Sequence, residues 1–204
     1  MTTEKVVLGG DELRRALARI AHEIVEKQPQ PEQLALVGIH RRGAILARRV
    51  RDLLSELLDV DVPLGDVDIS FYRDDVGIRG SDYQPTVHSS HIDFSLDDTT
   101  VVLVDDVLYT GRTVRAAIDA LFDYGRPRRV QLAVLADRGH RELPIRPDYV
   151  GKNLPTARDE REEARAVFAR SEVPRDFDAI DVPLPEKGEP ELLRFDPEGA
   201  PAAG

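Results

Sequence analysis

The stretch Val101-Val102-Leu103-Val104-Asp105-Asp106-Val107-Leu108-Tyr109-Thr110-Gly111-Arg112-Thr113 leaves this chain the fewest options. It opens on four branched apolar residues, the pattern of a strand buried on both faces. Two carboxylates stand where that strand should end. A short turn, Tyr109 to Thr113, then leads into an amphipathic helix. Backbone N–H groups at a helix start lack intrahelical partners and carry partial positive charge, so they bind anions. Gly111 lets the backbone approach closely, and Thr110 and Thr113 add hydroxyl donors. A cradle for phosphate alone would avoid two neighbouring acids. Carboxylates accept hydrogen bonds from sugar hydroxyls or hold Mg²⁺, so the stretch points to one ligand with a phosphate, a diol and a metal. A phosphorylated ribose fits. Successive strand residues face opposite ways, so an extended backbone would turn only one of Asp105 and Asp106 to the sugar.

These residues resemble the phosphoribosyl pyrophosphate (PRPP) signature of type I phosphoribosyltransferases. The run Val107-Leu108-Tyr109-Thr110-Gly111-Arg112-Thr113-Val114-Arg115-Ala116 is similar to the pyrimidine operon attenuation regulators, a family whose members are also uracil phosphoribosyltransferases. The resemblance spans roughly residues 4 to 156. A plain strand-turn-helix of some other α/β protein is the competing reading, but a core has no use for paired aspartates beside an anion nest.

The chain is long enough, at 204 residues, for one α/β domain with a substantial core. No run of about 18 apolar residues is present. Met1-Thr2-Thr3-Glu4-Lys5 leads into no apolar signal-peptide core, and cysteine is absent, which excludes disulfides and thiolate chemistry. The expectation is a cytoplasmic enzyme with no membrane partner. A net charge of −10 argues against casual nucleic-acid binding, DNA included, so any RNA role needs a local basic patch. The 32% of charged residues and the single asparagine, Asn153, hint at a thermophile, although a GC-rich genome gives the same bias.

Leu13, Leu17, Ile20 and Ile24 predict a helix over residues 11–27. Arg15, Arg19 and His22 line its opposite side with Glu26. By spacing this is an ordinary solvated face. The resemblance implies instead that it helps form an RNA surface, with Ala18 standing where the family commonly has threonine. Residues 34–39 read as a second buried strand. Gly38-Ile39-His40-Arg41-Arg42-Gly43 follows, then a helix with core positions Leu46, Val50, Leu53, Leu54 and Leu57. Arg41 and Arg42 sit at a helix start, where the dipole disfavours cations, which suggests an anionic ligand. The resemblance makes this turn the pyrophosphate loop, with His40 where lysine is frequent. A structural turn with surface arginines is the plainer alternative.

Residues 67–72 alternate like a strand. From Arg73 to about Ser95 periodicity is lost, and a structureless stretch of that length is functional or disordered. The resemblance implies a flexible loop that closes over the site and excludes water, with Tyr72 and Arg73 contacting PRPP. An exposed hairpin is the alternative. Val114, Ala117, Ile118, Leu121 and Phe122 then form a helix face, ended by Gly125 and Pro127, and residues 130–135 form the next strand. The order predicts a doubly wound, mostly parallel α/β sheet with ligands beyond the strand C-termini.

Asp137-Arg138-Gly139-His140-Arg141-Glu142-Leu143-Pro144 should lie beside the cradle, and the family likeness continues to Asn153. By resemblance, Asp137 touches the water shell of the metal, and Arg138 contacts pyrophosphate or base. Spacing does not locate a uracil pocket; the resemblance places it near residues 136–138 and 150–155. Residues 126–152 hold seven Lys or Arg against three Asp or Glu. Arg141, Arg146 and Lys152 are the RNA candidates here, with pairing to nearby acids as the alternative. Residues 164–169 are read as a strand by resemblance.

One phosphoribosyltransferase domain is expected over residues 1–184. It would carry its flexible loop at about 73–95 and C-terminal elements, a small hood with strands, at about 145–184, with a mobile tail over 185–204. The resemblance implies Asp105, Asp106 and Arg138 as catalytic residues. Donor contacts would come from Arg41, Arg42, Arg73, Arg138 and residues Asp105, Asp106, Val107, Leu108, Tyr109, Thr110, Gly111, Arg112 and Thr113. Mg²⁺ would arrive with PRPP. The partners would be uracil, UMP or UTP, the stem-loop of a pyrimidine-operon leader messenger, and further copies of the chain. On this reading Arg19→Glu or Arg141→Glu weakens RNA binding and spares turnover. A purine phosphoribosyltransferase of the hypoxanthine-guanine kind shares the cradle and is the alternative, as is a regulator with a vestigial site.

Overall fold

The computed structural model describes residues 5–70, 72, 90–154, 165–168 and 193–196. Two compact units are distinguished, one of Ala16–Pro155 and one of Met1–Arg15 with Thr156–Gly204. The helix α1 (Gly10–Lys27) begins in the second and runs into the first.

In the larger unit, β2 (Leu34–Ile39), β3 (Leu64–Val67), β4 (Thr100–Leu108), β5 (Arg129–Asp137) and β6 (Tyr149–Asn153) form one sheet in the order β3-β2-β4-β5-β6. Every pairing is parallel. The chain crosses between strands through α2 (Arg42–Leu58) and α3 (Arg112–Leu121). Val37 and Leu103 share a buried cluster with Val114, Ala117 and Leu121 of α3. Gly38 presents its side-chain direction to Ala44 of α2 instead. Adjacent strand residues face opposite sides, so α2 and α3 cover opposite faces. That is the doubly wound arrangement, with strand C-termini and helix N-termini gathered at one edge.

Both long strands outrun the expectation. β4 passes straight through Asp105 and Asp106 to Leu108, and β5 reaches Asp137, because the ladder keeps pairing as far as Leu108 with Asp137. The acids therefore lie inside a strand, not after one. The strand expected at 67–72 is earlier and shorter, Leu64–Val67. Beyond Val67 the Asp68 carboxylate accepts the Ser70 N–H at 2.8 Å, and Tyr72 N–H bonds to Ile69 O at 3.0 Å, which turns the backbone away. Residues 90–95, expected at the end of the long loop, are anchored. His91 exchanges backbone hydrogen bonds with Asp66, and Ile92 and Phe94 pack on the core. Most of that loop, Arg73 included, lies outside the described residues.

Residues 149–153, within the stretch expected to supply C-terminal hood or strand elements, form the edge strand of the main sheet. The smaller unit contains an antiparallel sheet in the order β1-β8-β7, from β1 (Lys5–Leu8), β8 (Leu193–Asp196) and β7 (Arg165–Phe168). β7 falls where a strand was expected. β8 falls inside the stretch expected to be a tail; the rest of 185–204 lies outside the described residues.

Candidate active site

The cradle is built where β4 gives way to α3. Gly111 holds φ +93°, a left-handed conformation that L side chains rarely adopt, and so reverses the chain into the first turn of the helix. Arg115 N–H returns to Gly111 O at 3.0 Å, which leaves the N–H groups of the helix head directed outward. The segment 138–145 braces this turn from outside. Arg138 N–H bonds to Leu108 O, and the N–H groups of Glu142 and Leu143 bond to Thr110 O, all at 3.0–3.1 Å. Arg112 Nε donates to Glu142 at 2.8 Å. A Cβ on Gly111 would also come within 3.4 Å of Leu143 and Ile145.

Asp105 and Asp106 differ sharply in setting. Asp105 is buried, 6% exposed, and accepts the Asp106 N–H at 2.9 Å. Burial pushes its carboxyl well above the usual range; the adjacent Asp106 charge adds to this, and Arg42 opposes it. Asp106 is less enclosed. It accepts Val107 N–H at 2.9 Å and the Arg42 guanidinium at 2.7 Å. One acid is thus held by the strand interior, while the other reaches across to the neighbouring turn.

That turn follows β2. Gly38 and Gly43 are there for close approach. A Cβ on Gly38 would lie 2.3 Å from the Ala44 backbone, and one on Gly43 would lie 2.3 Å from Val104 O. Arg41 is the exposed N-cap of α2, and Arg42 opens the helix. His40, which stands where the family often has lysine, turns its Nε2 to the buried Asp66. The Arg41–Arg42 cations and the Asp105–Asp106 carboxylates are therefore joined into one strip by the Arg42–Asp106 pair.

On the other side of the cradle Arg138 is buried, with its guanidinium 4.6 Å above the Tyr109 ring. His140 meets the same ring edge-on at 6.1 Å. Asp137, expected near a metal's waters, accepts Gly139 N–H at 2.8 Å and both of its oxygens accept Arg141 Nη2 at 2.7 Å. Tyr72, expected to contact the donor, has its hydroxyl bonded to Asp123, which raises its pKa.

No group of three or more His, Cys, Asp or Glu able to hold a metal occurs among the described residues. The available donors are the carboxylate oxygens of Asp105, Asp106 and Asp137. One or two carboxylates with substrate oxygens is a donor set that suits Mg²⁺ carried by a phosphorylated substrate, not a resident ion.

A phosphoribosyl transferase domain model matches residues 9–163. The chain is 62% identical over 158 residues to the bifunctional protein PyrR of Roseiflexus sp. (78% of this chain, 85% of that protein). It is 59% identical over 161 residues to that of Deinococcus radiodurans (78% and 87%). The chain belongs to the PyrR family of phosphoribosyltransferases. The PyrR of Listeria welshimeri agrees at 54% over 166 residues, covering 81% of this chain and 91% of that one. Among solved structures, hypoxanthine phosphoribosyltransferase of Trypanosoma cruzi superimposes with a TM-score of 0.62 at 18% identity, over 95% and 97% of the two chains. That likeness shows the fold. A purine phosphoribosyltransferase of Pyrococcus horikoshii gives 0.52 at 28% identity, over 70% and 83%.

In this PyrR-family chain the cations expected to meet RNA fall into two groups. Arg15, Arg19, His22 and Arg146 are exposed. Arg19 nonetheless donates to Val150 O at 3.1 Å and to Gly151 O, tying α1 to β6, and His22 Nδ1 donates to Ala18 O at 2.8 Å. Arg141 is of the other kind. Its guanidinium also donates to Tyr109 O, Gly139 O and Ile145 O at 2.8–2.9 Å, and its side chain is 20% exposed. It fastens the bracing segment to the cradle, which changes what its substitution should do. Lys152 is half-buried on β6. The alternative of pairing to nearby acids holds for Arg141 and Asp137, but the Arg141 bonds to three carbonyls and the Arg112–Glu142 and His40–Asp66 pairs were not indicated by the local pattern. The one available signal was Asp66 itself, an acid between apolar residues and next to a glycine.

Proposed function

We propose that this chain transfers the phosphoribosyl group of PRPP to uracil, giving UMP and pyrophosphate, and that it also binds pyrimidine-operon leader RNA under uridine-nucleotide control. The observation that carries the enzymatic reading is the joined strip of Arg41–Arg42, Asp106 and Asp105 leading into the Gly111 cradle. It matches, in order, a pyrophosphate, a ribose and a 5′-phosphate. The helix-head N–H groups at Tyr109–Thr113 take the 5′-phosphate. Arg41 and Arg42 take the pyrophosphate and stabilise the charge that collects on it as the C1–O bond breaks. The C1–N1 bond to uracil then forms, and the N1 proton leaves to solvent. Asp106, the less enclosed acid, faces the ribosyl centre and offsets the positive charge that develops there, while buried Asp105 holds the Asp106 N–H in place from the strand interior. Arg138, stacked on Tyr109, presents a flat, cation-backed surface to base or pyrophosphate. Mg²⁺ bound with PRPP would neutralise part of the pyrophosphate charge, with Asp105, Asp106 or Asp137 as available oxygen donors.

The RNA reading is supported by Arg15, Arg19, His22 and Arg146, exposed in a chain that is otherwise acidic. Each phosphate they neutralise would steepen the salt dependence by about 0.7–0.9 of a unit. The test is turnover of PRPP with uracil, hypoxanthine and guanine, beside a gel shift with a pyrimidine-leader transcript with and without UMP. Turnover with uracil alone and a UMP-strengthened shift are expected. Arg146→Glu should weaken only the shift, whereas Arg141→Glu should lower turnover as well. Turnover restricted to hypoxanthine or guanine would overturn the substrate assignment, and no shift at low salt would overturn the RNA role.

A further inference from the structure

Asp66 is 3% exposed in β3, and it is an expensive residue to bury unless its charge is matched. Two imidazoles address its carboxylate. His40 Nε2 contacts Oδ2 directly, and His91 Nδ1 lies 3.6 Å from the same oxygen. The backbone ties the same residues together. Asp66 N–H bonds to His91 O at 2.9 Å, His91 N–H to Asp66 O at 3.0 Å, and His40 N–H to Val67 O at 2.9 Å. His40 is the residue immediately before Arg41 and Arg42, and its side chain is only 10% exposed. The last rigid point before the anion-binding turn is therefore an imidazole pinned from the adjacent strand.

The pairing runs across β2 and β3, not along the turn. The turn is packed closely on its inner side, where Gly38 and Gly43 leave no room for a Cβ against the Ala44 backbone and Val104 O. The His40–Asp66 contact bridges the end of β2 to β3 directly before the turn. Arg42 is held at the far end by Asp106 at 2.7 Å. The two acids, buried Asp66 on one side and half-buried Asp106 on the other, thus hold the turn at both ends.

We propose that Asp66 is a positioning residue for the pyrophosphate half of the site. It holds His40 and thereby sets where the Arg41–Arg42 turn presents its cations to a diphosphate. The proposal rests on the reading of that turn as the pyrophosphate loop. Misplacing a binding group by about an ångström can cost up to a hundredfold, while a distant cradle on another strand should be indifferent to it.

Calorimetry separates this from a role in stability. Magnesium pyrophosphate and UMP are titrated into the wild type, Asp66→Asn, His40→Gln and the double variant. The expected result is about tenfold weaker pyrophosphate binding in each single variant, equivalent to ~1.4 kcal/mol. UMP should stay within about twofold, and the double variant should be no worse than either single one. Equal loss of both ligands, no loss of either, or additive losses in the double variant would overturn the proposal while leaving the loop assignment intact. A wild type that binds UMP but not pyrophosphate would overturn the loop assignment and the proposal together. Should Asp66→Asn fail to fold, His40→Gln reads the same link from its other end.

Discussion

The chain makes two strand-turn-helix units at one edge of its sheet, and they solve the same electrostatic problem differently. The turn after β4 has Gly111 at φ +93° and directs helix-head N–H groups outward, braced by backbone bonds from residues 138–145. The turn after β2 relies on side chains, Arg41 and Arg42, whose placement is governed by Asp66 through His40 and by Asp106 through Arg42. A backbone cradle is fixed in shape and suits an anchor that stays bound throughout. A side-chain clamp can follow a group that leaves. On the proposed reading, the difference teaches that the 5′-phosphate and the pyrophosphate would be held by separable means.

The largest effect should come from the residue that joins the two. On the proposed reading, Asp106→Asn removes a carboxylate facing the ribosyl centre and breaks its ion pair with Arg42. The account expects kcat lower by about 10²–10³, the scale seen when one preorganised electrostatic group is removed. Circular dichroism and melting should be nearly unchanged, because Asp106 is not part of the buried core. Unchanged kcat would dissolve the link between the turns.

Next come the glycines, which sharpen the contrast. Gly43→Ala drives a Cβ to 2.3 Å from Val104 O, a main-chain atom of β4 that cannot give way. Overpacking of this kind costs about 1–3 kcal/mol, and the upper end is expected here. Gly111→Ala meets only side chains at 3.4 Å. Its penalty is conformational, ~1–2 kcal/mol for a left-handed L residue. Urea titration of the two variants measures both, and a reversed order would mean that the turns are not built as described.

The smallest effect is the most informative about pH. Burial raises the Asp105 carboxyl above its unfolded value, so the folded chain holds that proton more tightly than the unfolded chain. Its contribution to stability is complete below the unfolded value and is lost as pH rises through the raised folded value. Asp105→Asn escapes that loss. The variant should match the wild type in acid and melt higher towards neutral pH, by about 2–4 °C for each kcal/mol recovered. If Asp105 must be ionised to act, wild-type kcat should also show an acid limb above the ordinary carboxylate range, and the asparagine variant should lack it. A melting difference that shrinks with pH would contradict the buried setting.

Much of this was legible in the sequence for definite reasons. Val101–Val104 could only be a strand buried on both faces, and Gly111 between two threonines could only be a turn, so the cradle and the parallel sheet were readable. The strand boundaries were not. Ladder pairing with β5 carries β4 through two acids that local pattern reads as its end, and the Asp68 side chain stops β3 before an alternation that looked like strand. Paired charges were the other blind spot. Counting cations over residues 126–152 cannot say which are spent internally, and Arg141 is spent on Asp137 and three carbonyls. A bond between residues 26 apart, such as His40 with Asp66, has no local signature.

The central claim is that the backbone at Tyr109–Thr113 grips the phosphate of a ribosyl ligand. A crystal structure with UMP tests it most directly. The account predicts the phosphate within hydrogen-bonding distance of those N–H groups, with the ribose hydroxyls towards Asp106. Phosphate density at the Arg41–Arg42 turn or elsewhere, with the Gly111 turn empty, would contradict it.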